Sequence, residues 1–596
     1  MFQSFEVTAR PEQGPPRLKE IRSQLNTAGL DGYLIPRADA HQGEYVSAHD
    51  ERLAWLTGFT GSAGFCAVLK NIAGVFVDGR YRTQVKLQVA TEYSPVSWPE
   101  ISLANWLMEQ LPEGGRIGFD PWLHTPKQIA EINNDLENSK ILLTQYDNLV
   151  DRIWKDQPLP ASEAVKAHPI EFAGENHSSK RSRLGDILRA NGFASAVITL
   201  PDSLCWLLNI RGADIPRNPI AQGFAVLHQN GAVDLFMDPN KLIQVYAHLG
   251  PEVTCHKIGS FLSYLETLKG PVCIDKSSVP VRVADVLGDR GGWGVDPCAL
   301  PKACKNIAEI EGSAEAHLRD GAAVVELLAW LDSKEPNTLR EIQVATQLEH
   351  MRRRDNSLQD ISFETIAGTG PNGAIMHYRV TEETDSVLQD GQLIVLDSGG
   401  QYLDGTTDIT RTISIGLPPS EACAAFTRVL MGMIAISRLR WPKGLAGRDI
   451  EAIGRAPLWY AHQDFDHGLG HGVGAYLSVH EGPQRLSRAS QVPIEPGMIL
   501  SNEPGYYREG EFGIRIENLI VAKEASTLPG GDEHRQMLQW RTLTYVPMDK
   551  RLILSNMLDA DSKAWINNYH AETLNKIGPR VSKSAYDWLK LATKPL

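Results

Sequence analysis

The sequence predicts a multidomain protein of mixed α/β and α+β class, in which two copies of one α/β unit precede a third, larger domain. Three observations lead to this prediction. At 596 residues the chain is too long for a single hydrophobic core. A pattern of helix, strand and hairpin occurs twice before Ile307, and the chain then changes to long helices and Gly-rich strand pairs. We expect domains at residues 1–160, 161–305 and 306–545, with a helical extension at 546–596.

The first copy opens with a helical pattern at residues 17–29, whose apolar side chains recur every three or four positions before a closing glycine. A short apolar strand is predicted at 32–35. Residues 65–78 carry the apolar runs and the turn of a β-hairpin. Trp55 lies in the segment between these strands.

The second copy repeats this order from residue 183. Another amphipathic helix ends in a glycine at 192, and the strand SAVITL follows it. The segment DSLCWLLNIRG around Trp206 resembles DERLAWLTGF around Trp55, and GFAVLHQNGAVDLFMD resembles GFCAVLKNIAGVFVD. This alignment places Asp238 opposite Asp78. An internal duplication explains the similarity better than chance does.

The two copies differ directly after these aspartates. The first copy continues with Gly79, Arg80 and Tyr81, whereas the second has Pro239 and Asn240. Because only one copy has the arginine, the shared fold does not require it. Arg80 is therefore either a functional residue or a solvated charge on a turn.

The third domain begins with long helices, predicted at residues 310–332 and 339–354. A loop-rich segment, FETIAGTGPNGAIMHYR, follows and ends near His377. The last fifty residues contain two helical stretches with three large aromatic side chains. These are Trp565, Tyr569 and Trp588. Their presence predicts a packed extension rather than a disordered one.

A pair of aspartates marks the centre of this domain, in GQLIVLDSGGQYLDGTTDITRT at residues 391–412. An apolar run ends on Asp397, a Gly-rich turn follows, and a β-branched segment carries Asp408. This pattern predicts two paired strands that bring both carboxylates together. Either aspartate alone would more commonly end a strand or hydrogen-bond a turn.

Further candidate ligands lie downstream. The segment HGLGHGVGAYLSVHEGP contains His467, His471 and His480, with glycines that allow close approach of the backbone to a site. The segment MILSNEPGYYREGEFGIRIENLI places Glu503 and Glu517 on the two arms of a second predicted hairpin.

Four carboxylates in one place would repel one another strongly unless cations lay among them. Two divalent ions would neutralise four carboxylates. Oxygen-rich ligands with one imidazole and no thiolate suit Mn(II), Co(II), Fe(II) or Zn(II) better than a structural zinc site. Two such ions close together can lower the pKa of a shared water.

The composition is that of a soluble globular protein, with 42% hydrophobic and 22% charged residues. The formal net charge of −13 argues against nucleic acid or an anionic membrane as a partner. Seven scattered cysteines suit reduced thiols in a cytoplasmic protein. We expect no secretory signal and no run of eighteen apolar residues.

The motifs LDSGGQYLDGTTDITRT, GHGVGAYLSVHEGP, SNEPGYY and GIRIEN resemble those of metallopeptidases with the pita-bread fold. Within that superfamily the chain resembles the Xaa-Pro aminopeptidases in their long three-domain form. The N-terminal repeats, GFTGSAG with DGRY, and the C-terminal extension carry the resemblance over nearly the whole chain. It implies two creatinase-type α/β domains followed by a pita-bread catalytic domain.

The resemblance also implies a role for each candidate residue. Five of them match the metal ligands of the family. These are Asp397, Asp408, His471, Glu503 and Glu517. Asp408 and Glu517 would bridge two metal ions, most simply Mn(II), with Co(II) or Zn(II) as alternatives, and Glu503 would also take a proton from the attacking water. His377 and His480 would contact substrate and stabilise the tetrahedral intermediate. Arg80 would lie near substrate, and Arg515 would line the proline side of the pocket.

The implied reaction is hydrolysis of the bond between an N-terminal residue and a following proline, a tertiary amide without an N–H group. The implied partners are peptides with proline second, and a second copy in a homodimer. A prolidase-type dipeptidase uses the same five ligands and remains an alternative. A creatinase-like enzyme or a non-catalytic pita-bread module would lack the ligands, and all five are present here.

Overall fold

The computed structural model describes all residues from 1 to 596 and divides into two compact units. The N-terminal unit consists of Thr8–Ile170 and Glu175–Ala299. The C-terminal unit consists of Met1–Val7, Glu171–Gly174 and Leu300–Leu596.

The first sheet of the N-terminal unit has six strands. They are β1 (Gly32–Pro36), β2 (Phe65–Leu69), β3 (Ala73–Val77), β4 (Ser94–Ser97), β5 (Gly115–Phe119) and β6 (Ile141–Gln145). Their order across the sheet is β4-β3-β2-β1-β5-β6. Strands β1, β2 and β3 pair antiparallel, whereas the outer pairs are parallel.

The second half of this unit contains eight strands. They are β7 (Lys166–Ala167), β8 (Ser195–Ile198), β9 (Ile210–Arg211), β10 (Phe224–His228), β11 (Val233–Phe236), β12 (Val253–His256), β13 (Val272–Asp275) and β14 (Gly291–Gly294). Six of them form a sheet with the order β12-β11-β10-β8-β13-β14, and β7 pairs with β9. The two six-stranded sheets have the same order and pairing directions, which confirms the predicted duplication.

Helices cover these sheets, and several helix ends follow from local sequence. Gly29 closes α1 in the left-handed region at φ 63°, as expected of a C-terminal glycine. The helix of the second copy begins at His177, six residues before the predicted start. The helices of this half of the chain are α1 (Gly14–Ala28), α2 (Arg52–Thr57), α3 (Arg82–Gln88), α4 (Leu103–Gln110), α5 (Pro126–Asp135), α6 (Leu149–Ile153), α7 (Ile170–Ala173), α8 (His177–Ala190), α9 (Pro201–Leu208), α10 (Tyr246–Leu249), α11 (Phe261–Thr267), α12 (Val281–Leu287) and α13 (Ala299–Ala303).

The C-terminal unit is built on antiparallel strands. They are β15 (Leu358–Ile361), β16 (Ile366–Thr369), β17 (Leu393–Ser398), β18 (Gly400–Tyr402), β19 (Gly405–Thr406), β20 (Ile409–Ser414), β21 (Arg440–Pro442), β22 (Gly470–Gly472), β23 (Glu481–Leu486), β24 (Ile499–Asn502), β25 (Gly505–Arg508), β26 (Phe512–Arg515), β27 (Asn518–Glu524) and β28 (Met537–Thr542). The largest sheet has the order β21-β28-β27-β24-β22-β23, and smaller sheets are formed by β16-β17-β20 and β15-β18-β19.

Six helices pack on these strands. They are α14 (Ile307–Asp332), α15 (Glu341–Arg352), α16 (Ser420–Ser437), α17 (Gly447–Trp459), α18 (Ala560–Ile577) and α19 (Lys583–Ala592). Helix α14 begins three residues before the predicted start, because Asn306 and Glu309 form a reciprocal capping box there. The two helices expected in the last fifty residues are α18 and α19, and aromatic side chains of α18 pack in the main core.

Helix α16 is long and apolar enough to cross a membrane by length and composition alone, with a mean hydropathy of 1.3. Glu421 and Arg428 interrupt its apolar sequence. Within the fold, 61% of the helix is buried, and its apolar side chains form the centre of the largest hydrophobic cluster. We therefore interpret α16 as a core helix of the C-terminal unit.

The first residues of the chain pack on the C-terminal unit. The backbone N–H groups of Phe2 and Gln3 donate to the two carboxylate oxygens of Glu349, at 2.7 and 3.2 Å. The Gln3 side chain pairs with the backbone of Thr365 in both directions. Residues far apart in sequence thus complete one core.

Candidate metal centre

The first two predicted ligands lie at the end of one antiparallel strand pair. Strands β17 and β20 pair along their whole length, with Asp397 opposite Thr410. Asp408 lies two residues before Thr410, just outside β20. Between the two aspartates the short strand β18 pairs with β19 on one side and with β15 on the other. The predicted strand pairing is confirmed, and both aspartates lie near the same end of it.

A second strand pair carries the two glutamates. Strands β24 and β27 are antiparallel, and Asn502 opposite Asn518 closes the pair. Glu503 directly follows the one strand and Glu517 directly precedes the other, so the two carboxylates lie beside each other. The hairpin β25–β26 occupies the chain between them. His471 lies on β22, the strand next to β24 in the sheet.

The structure brings these groups together. His471 Nε2 lies 3.5 Å from Asp408 Oδ2 and 3.4 Å from Glu503 Oε1. One ligand atom each of Asp408, His471 and Glu517 lies within 4.8 Å of the others. Asp397 is close enough that its charge acts on both Asp408 and Glu517. All five predicted ligands therefore belong to one cluster.

The electrostatics of this cluster demand a cation. Burial, and then the charges of Asp397 and Glu503, raise the pKa of Asp408 well above its usual range. Burial and the charges of Asp408, Glu503 and Asp397 raise the pKa of Glu517 in the same way. Without added positive charge, these raised pKa values favour the protonated forms of the two carboxyl groups. Divalent ions would allow all four carboxylates to ionise.

Unpaired oxygens show where such ions could bind. Asp397 Oδ1, Asp408 Oδ1 and Glu517 Oε1 are buried and accept no hydrogen bond. A buried carboxylate oxygen without a donor is costly unless it coordinates a cation. Together with an imidazole nitrogen, these oxygens form a ligand set that suits hard or borderline divalent metals. The residues present therefore fit a metal centre.

Neighbouring groups orient the imidazole and one glutamate. His471 Nδ1 donates to the carbonyl oxygen of Gly472 at 2.9 Å, which leaves Nε2 as the free ligand atom facing the carboxylates. The Ser501 hydroxyl accepts from His471 N at 2.9 Å and donates to Glu503 Oε1 at 3.0 Å. Ser501 thus links the two residues.

Glu517 is held by a hydroxyl and by a buried guanidinium. Thr410 Oγ1 donates to Glu517 Oε2 at 2.8 Å. Arg411 is fully buried and donates to the backbone oxygen of Glu517 at 2.6 Å, to Val546 O at 2.7 Å and to the Tyr569 hydroxyl at 2.9 Å. Tyr569 belongs to α18, so the C-terminal extension supports the candidate site.

A chain of hydrogen bonds leads from Asp397 away from the cluster. Arg515 Nη2 donates to Asp397 Oδ2 at 2.6 Å, and Arg515 Nη1 donates to the Tyr507 hydroxyl at 2.6 Å. His467 Nε2 lies 2.9 Å from the same hydroxyl. Tyr507 is not among the residues predicted from the sequence, and His467 has no predicted role. Their positions in SNEPGYY and HGLGH, next to ligand residues, are the signal that could have found them.

The two predicted substrate histidines lie near the cluster. The ring of His480 is 4.3 Å from that of His471, at an interplanar angle of 67°. His377 lies in the turn after residue 374, and the preceding residue, Met376, accepts a hydrogen bond from Arg515 Nη2 at 3.2 Å through its backbone oxygen. Arg515 therefore ties the His377 turn to Asp397.

Arg80 belongs to the N-terminal unit, whereas the five clustered residues belong to the C-terminal unit. Its guanidinium makes two hydrogen bonds to Asp78, at 2.9 and 2.7 Å. Asp78 also accepts from the backbone N–H of Arg80, as Asp238 does from that of Asn240. The same hydrogen bond from the backbone to the aspartate thus opens the turn in both repeats, and the residues that follow the aspartate differ.

Family models match four segments of the chain. Metallopeptidase family M24 matches residues 311–524, and the C-terminal region of that peptidase matches residues 536–596. The creatinase/prolidase N-terminal domain matches twice, at residues 17–153 and 156–309. These matches include the duplicated unit as well as the candidate metal centre.

Known proteins similar to the chain cover almost all of it. A probable Xaa-Pro aminopeptidase P of Talaromyces marneffei is 36% identical over 97% of this chain and 92% of its own length. The crystal structure of X-prolyl aminopeptidase from Caenorhabditis elegans matches the chain with a TM-score of 0.93. It is 32% identical and covers 98% of this chain and 99% of its own. That protein is described as a cytosolic enzyme with a di-nuclear active site. A prolidase from Pyrococcus horikoshii, at 22% identity and a TM-score of 0.50, covers 62% of this chain and 99% of its own and shares the fold alone.

Proposed function

The chain belongs to metallopeptidase family M24 and to its Xaa-Pro aminopeptidases, and from this we propose how its own residues carry out the reaction. The reaction is hydrolysis of the bond between an N-terminal residue and a following proline. The observation that carries the proposal is the cluster of four carboxylates and one imidazole with three buried oxygens that accept no hydrogen bond.

Two divalent ions would be held by the five clustered residues. Asp408 and Glu517 would contact both ions, Asp397 would complete one set of ligands, and His471 with Glu503 would complete the other. The chemistry that such ions supply when bound is a lowered pKa of water and polarisation of the scissile carbonyl. Mn(II) is the proposed metal, since most of the ligand atoms are carboxylate oxygens. Co(II) and Zn(II) suit the same set.

Glu503 would move the proton. Its carboxylate takes a proton from the attacking water and delivers it to the proline nitrogen, which must gain one proton to leave as a secondary amine. Ser501 holds one oxygen of Glu503 in place and leaves the other available for this transfer. The proton taken from water is thus returned to the product.

His377 and His480 would bind substrate. A neutral imidazole N–H can donate to the oxygen that becomes negative as the carbonyl is attacked. Arg80 would bind substrate from the N-terminal unit, and its fixed pairing with Asp78 keeps the guanidinium in one orientation. Arg515 is proposed for the proline side of the pocket, and its contacts add a second role, that of holding Asp397.

We also propose an oligomeric state, a cellular location and a set of domain boundaries for the protein. We propose a homodimer in the cytosol, with domains at residues 1–160, 161–305, 306–545 and 546–596. The C. elegans enzyme, at 32% identity over nearly the whole chain, is described as cytosolic, which supports this location. Sedimentation analysis would give twice the 65.8 kDa of one chain for a dimer.

A single assay tests the reaction. The full-length protein is stripped with a chelator, supplied with Mn(II), Co(II) or Zn(II), and offered Arg-Pro-Pro, Ala-Pro and Arg-Ala-Ala. Metal-dependent release of the first residue from Arg-Pro-Pro, with little from Arg-Ala-Ala, is the expected result. Cleavage of Ala-Pro alone would identify a prolidase-type dipeptidase. Failure to cleave any peptide, with metal bound, would favour a non-catalytic module.

A further inference from the structure

A fully buried ion pair lies behind the strands that carry the two aspartates. Asp320 of α14 and Arg352 of α15 both have side chains that are 0% exposed. Arg352 Nε and Nη2 donate to the two carboxylate oxygens of Asp320. The charge of Asp320 raises the pKa of Arg352, against the lowering caused by burial. The two side chains are thus joined by two hydrogen bonds inside the core.

The pair reaches the chain next to each aspartate of the metal centre. Arg352 Nη2 also donates to Ser398 Oγ at 3.0 Å, and Ser398 directly follows Asp397. The hydroxyl of Thr407 donates to Asp320 Oδ2 at 2.6 Å, and Thr407 directly precedes Asp408. One ion pair is thus hydrogen-bonded to both residues that flank the ligands.

The backbone between Ser398 and Thr407 has little freedom to move. Thr407 Oγ1 also accepts from the backbone N–H of Gly400 at 2.8 Å, and the Tyr402 hydroxyl donates to Asp320 Oδ1 at 3.1 Å. A side chain at Gly399 would bring its Cβ within 1.9 Å of the backbone oxygen of Thr407. The chain from 398 to 407 is therefore closed tightly around the ion pair.

Burying two charges is costly, and a buried ion pair often stabilises a fold no more than well-packed apolar residues would. Stability alone is therefore a weak reason for this pair. Its contacts suggest a different purpose, because they fix the separation of Ser398 and Thr407. That separation sets the distance between Asp397 and Asp408.

We propose that Asp320 and Arg352 are positioning residues that hold Asp397 and Asp408 at the spacing required for two divalent ions. The proposal rests on the proposed metal centre. The ion pair touches neither substrate nor metal and acts through Ser398 and Thr407. A substitution that removes one of these hydrogen bonds therefore weakens metal binding even where the fold is retained.

Thr407→Val tests the proposal, because valine keeps the shape of threonine and removes only the hydroxyl that joins Asp320 to the chain before Asp408. Metal-free full-length protein is titrated with Co(II), followed by calorimetry and by the visible absorption of the bound ion. We expect the affinity for at least one Co(II) ion to fall about 10- to 100-fold, the usual effect of losing an outer hydrogen-bond partner. The absorption spectrum changes as well.

Two further variants separate positioning from stability. Thr407→Ser restores the hydroxyl and is expected to restore Co(II) affinity. Thr427→Val removes a hydroxyl from a buried threonine of α16 that both donates and accepts, far from the ligands in sequence, and serves as the matched control. It is expected to lower the melting temperature by a similar amount and to bind Co(II) as the natural protein does. Ser398→Ala, which breaks the second connection, replaces Thr407→Val if that variant does not fold.

The outcomes separate this inference from the proposed function. Unchanged Co(II) affinity and spectrum in Thr407→Val, with only a lower melting temperature, would overturn the positioning role. Absence of Co(II) binding by the natural protein would overturn the metal centre itself, and the positioning role with it.

Discussion

The two strand pairs of the metal centre share one arrangement. In each pair, two carboxylates lie at the end of antiparallel strands, and a short two-stranded excursion occupies the chain between them. Strands β18–β19 form the excursion between Asp397 and Asp408. Strands β25–β26 form the one between Glu503 and Glu517.

The excursions themselves differ. Both strands of the first are buried, although Leu403 at the turn between them is 38% exposed, and the hairpin packs so closely on α14 that a Cβ at Gly405 would lie 2.8 Å from Ser313 Cα. The second has an exposed tip, but Tyr507 and Arg515 near its base point toward the site, where Arg515 holds Asp397. Equivalent strand pairs thus provide the spacing of the carboxylates. The two excursions have different structural roles. The first anchors the ligand residues, and the second connects the two strand pairs.

The largest loss of activity should follow from a substitution in the second strand pair, which carries Glu503. Glu503→Gln keeps the size of the side chain and removes its capacity to take a proton. Loss of a general base lowers kcat by about 10²- to 10⁴-fold. Steady-state hydrolysis of Arg-Pro-Pro measures kcat. Bound metal is determined in parallel, because Glu503 is also a proposed ligand.

Glu511→Gln is the control, since Glu511 lies at the exposed tip of the same excursion and pairs with Arg508. Natural activity in Glu503→Gln would remove Glu503 from its proposed role.

Arg515→Met should break the hydrogen-bonded connection between the two strand pairs. It leaves Asp397 without its donor and removes one of the two partners of the Tyr507 hydroxyl, and we expect kcat/KM to fall by about 100-fold, the upper range for outer hydrogen-bond partners. Arg508→Met, on the other strand of the same excursion, breaks only partly exposed ion pairs and is expected to have little effect. Equal losses in the two variants would mean that the Arg515 contacts carry no special function.

The duplicated N-terminal unit allows the same kind of comparison. Arg80→Ala removes a guanidinium that one repeat has, and Asn240→Ala changes the equivalent position of the other repeat. If Arg80 contacts substrate, its loss should raise KM by about 10-fold, within the range for a hydrogen bond to a charged group. Asn240→Ala should leave KM unchanged. Natural kinetics in Arg80→Ala would assign the arginine to the turn alone.

The smallest effect should follow from Thr410→Val, which removes the hydroxyl donated to Glu517 and leaves the strand pairing intact. Because bound metal would neutralise the charge of the Glu517 carboxylate, this hydrogen bond should contribute only as much as one between neutral groups, which corresponds to about a 3-fold change in kcat/KM. A melting curve and the Thr427→Val variant show whether the loss reflects stability. An effect as large as that of Arg515→Met would contradict the order proposed here.

Local patterns were sufficient to predict most of the architecture. The repeat was visible because Trp55 and Trp206 lie in similar segments before similar hairpins, and the two sheets indeed have one strand order. Helix starts were less accurate, because polar first turns such as that of α8 lack apolar periodicity. The cap at Asn306 shows how a single side chain extends a helix by a turn.

Long-range polar contacts were the part that sequence could not reveal. No role was predicted for Asp320, although it lies between Ala316 and Ala323 at helical spacing and therefore on the buried face of α14. Its partner Arg352 is 32 residues away and Thr407 is 87 residues away. Similarly, the contact of Arg515 with Asp397 joins residues 118 apart, which periodicity cannot predict.

The attachment of Met1–Val7 to the C-terminal unit has a consequence for biosynthesis. This segment is made before the N-terminal unit, yet Glu349 and Thr365, which bind Gln3, are made 346 and 362 residues after Gln3. The N-terminal unit is complete at Ala299 and can fold as soon as it emerges, since domains generally fold as units during translation. We therefore expect residues 1–7 to stay unattached while the N-terminal unit is made, and the unit with the metal centre to close after it.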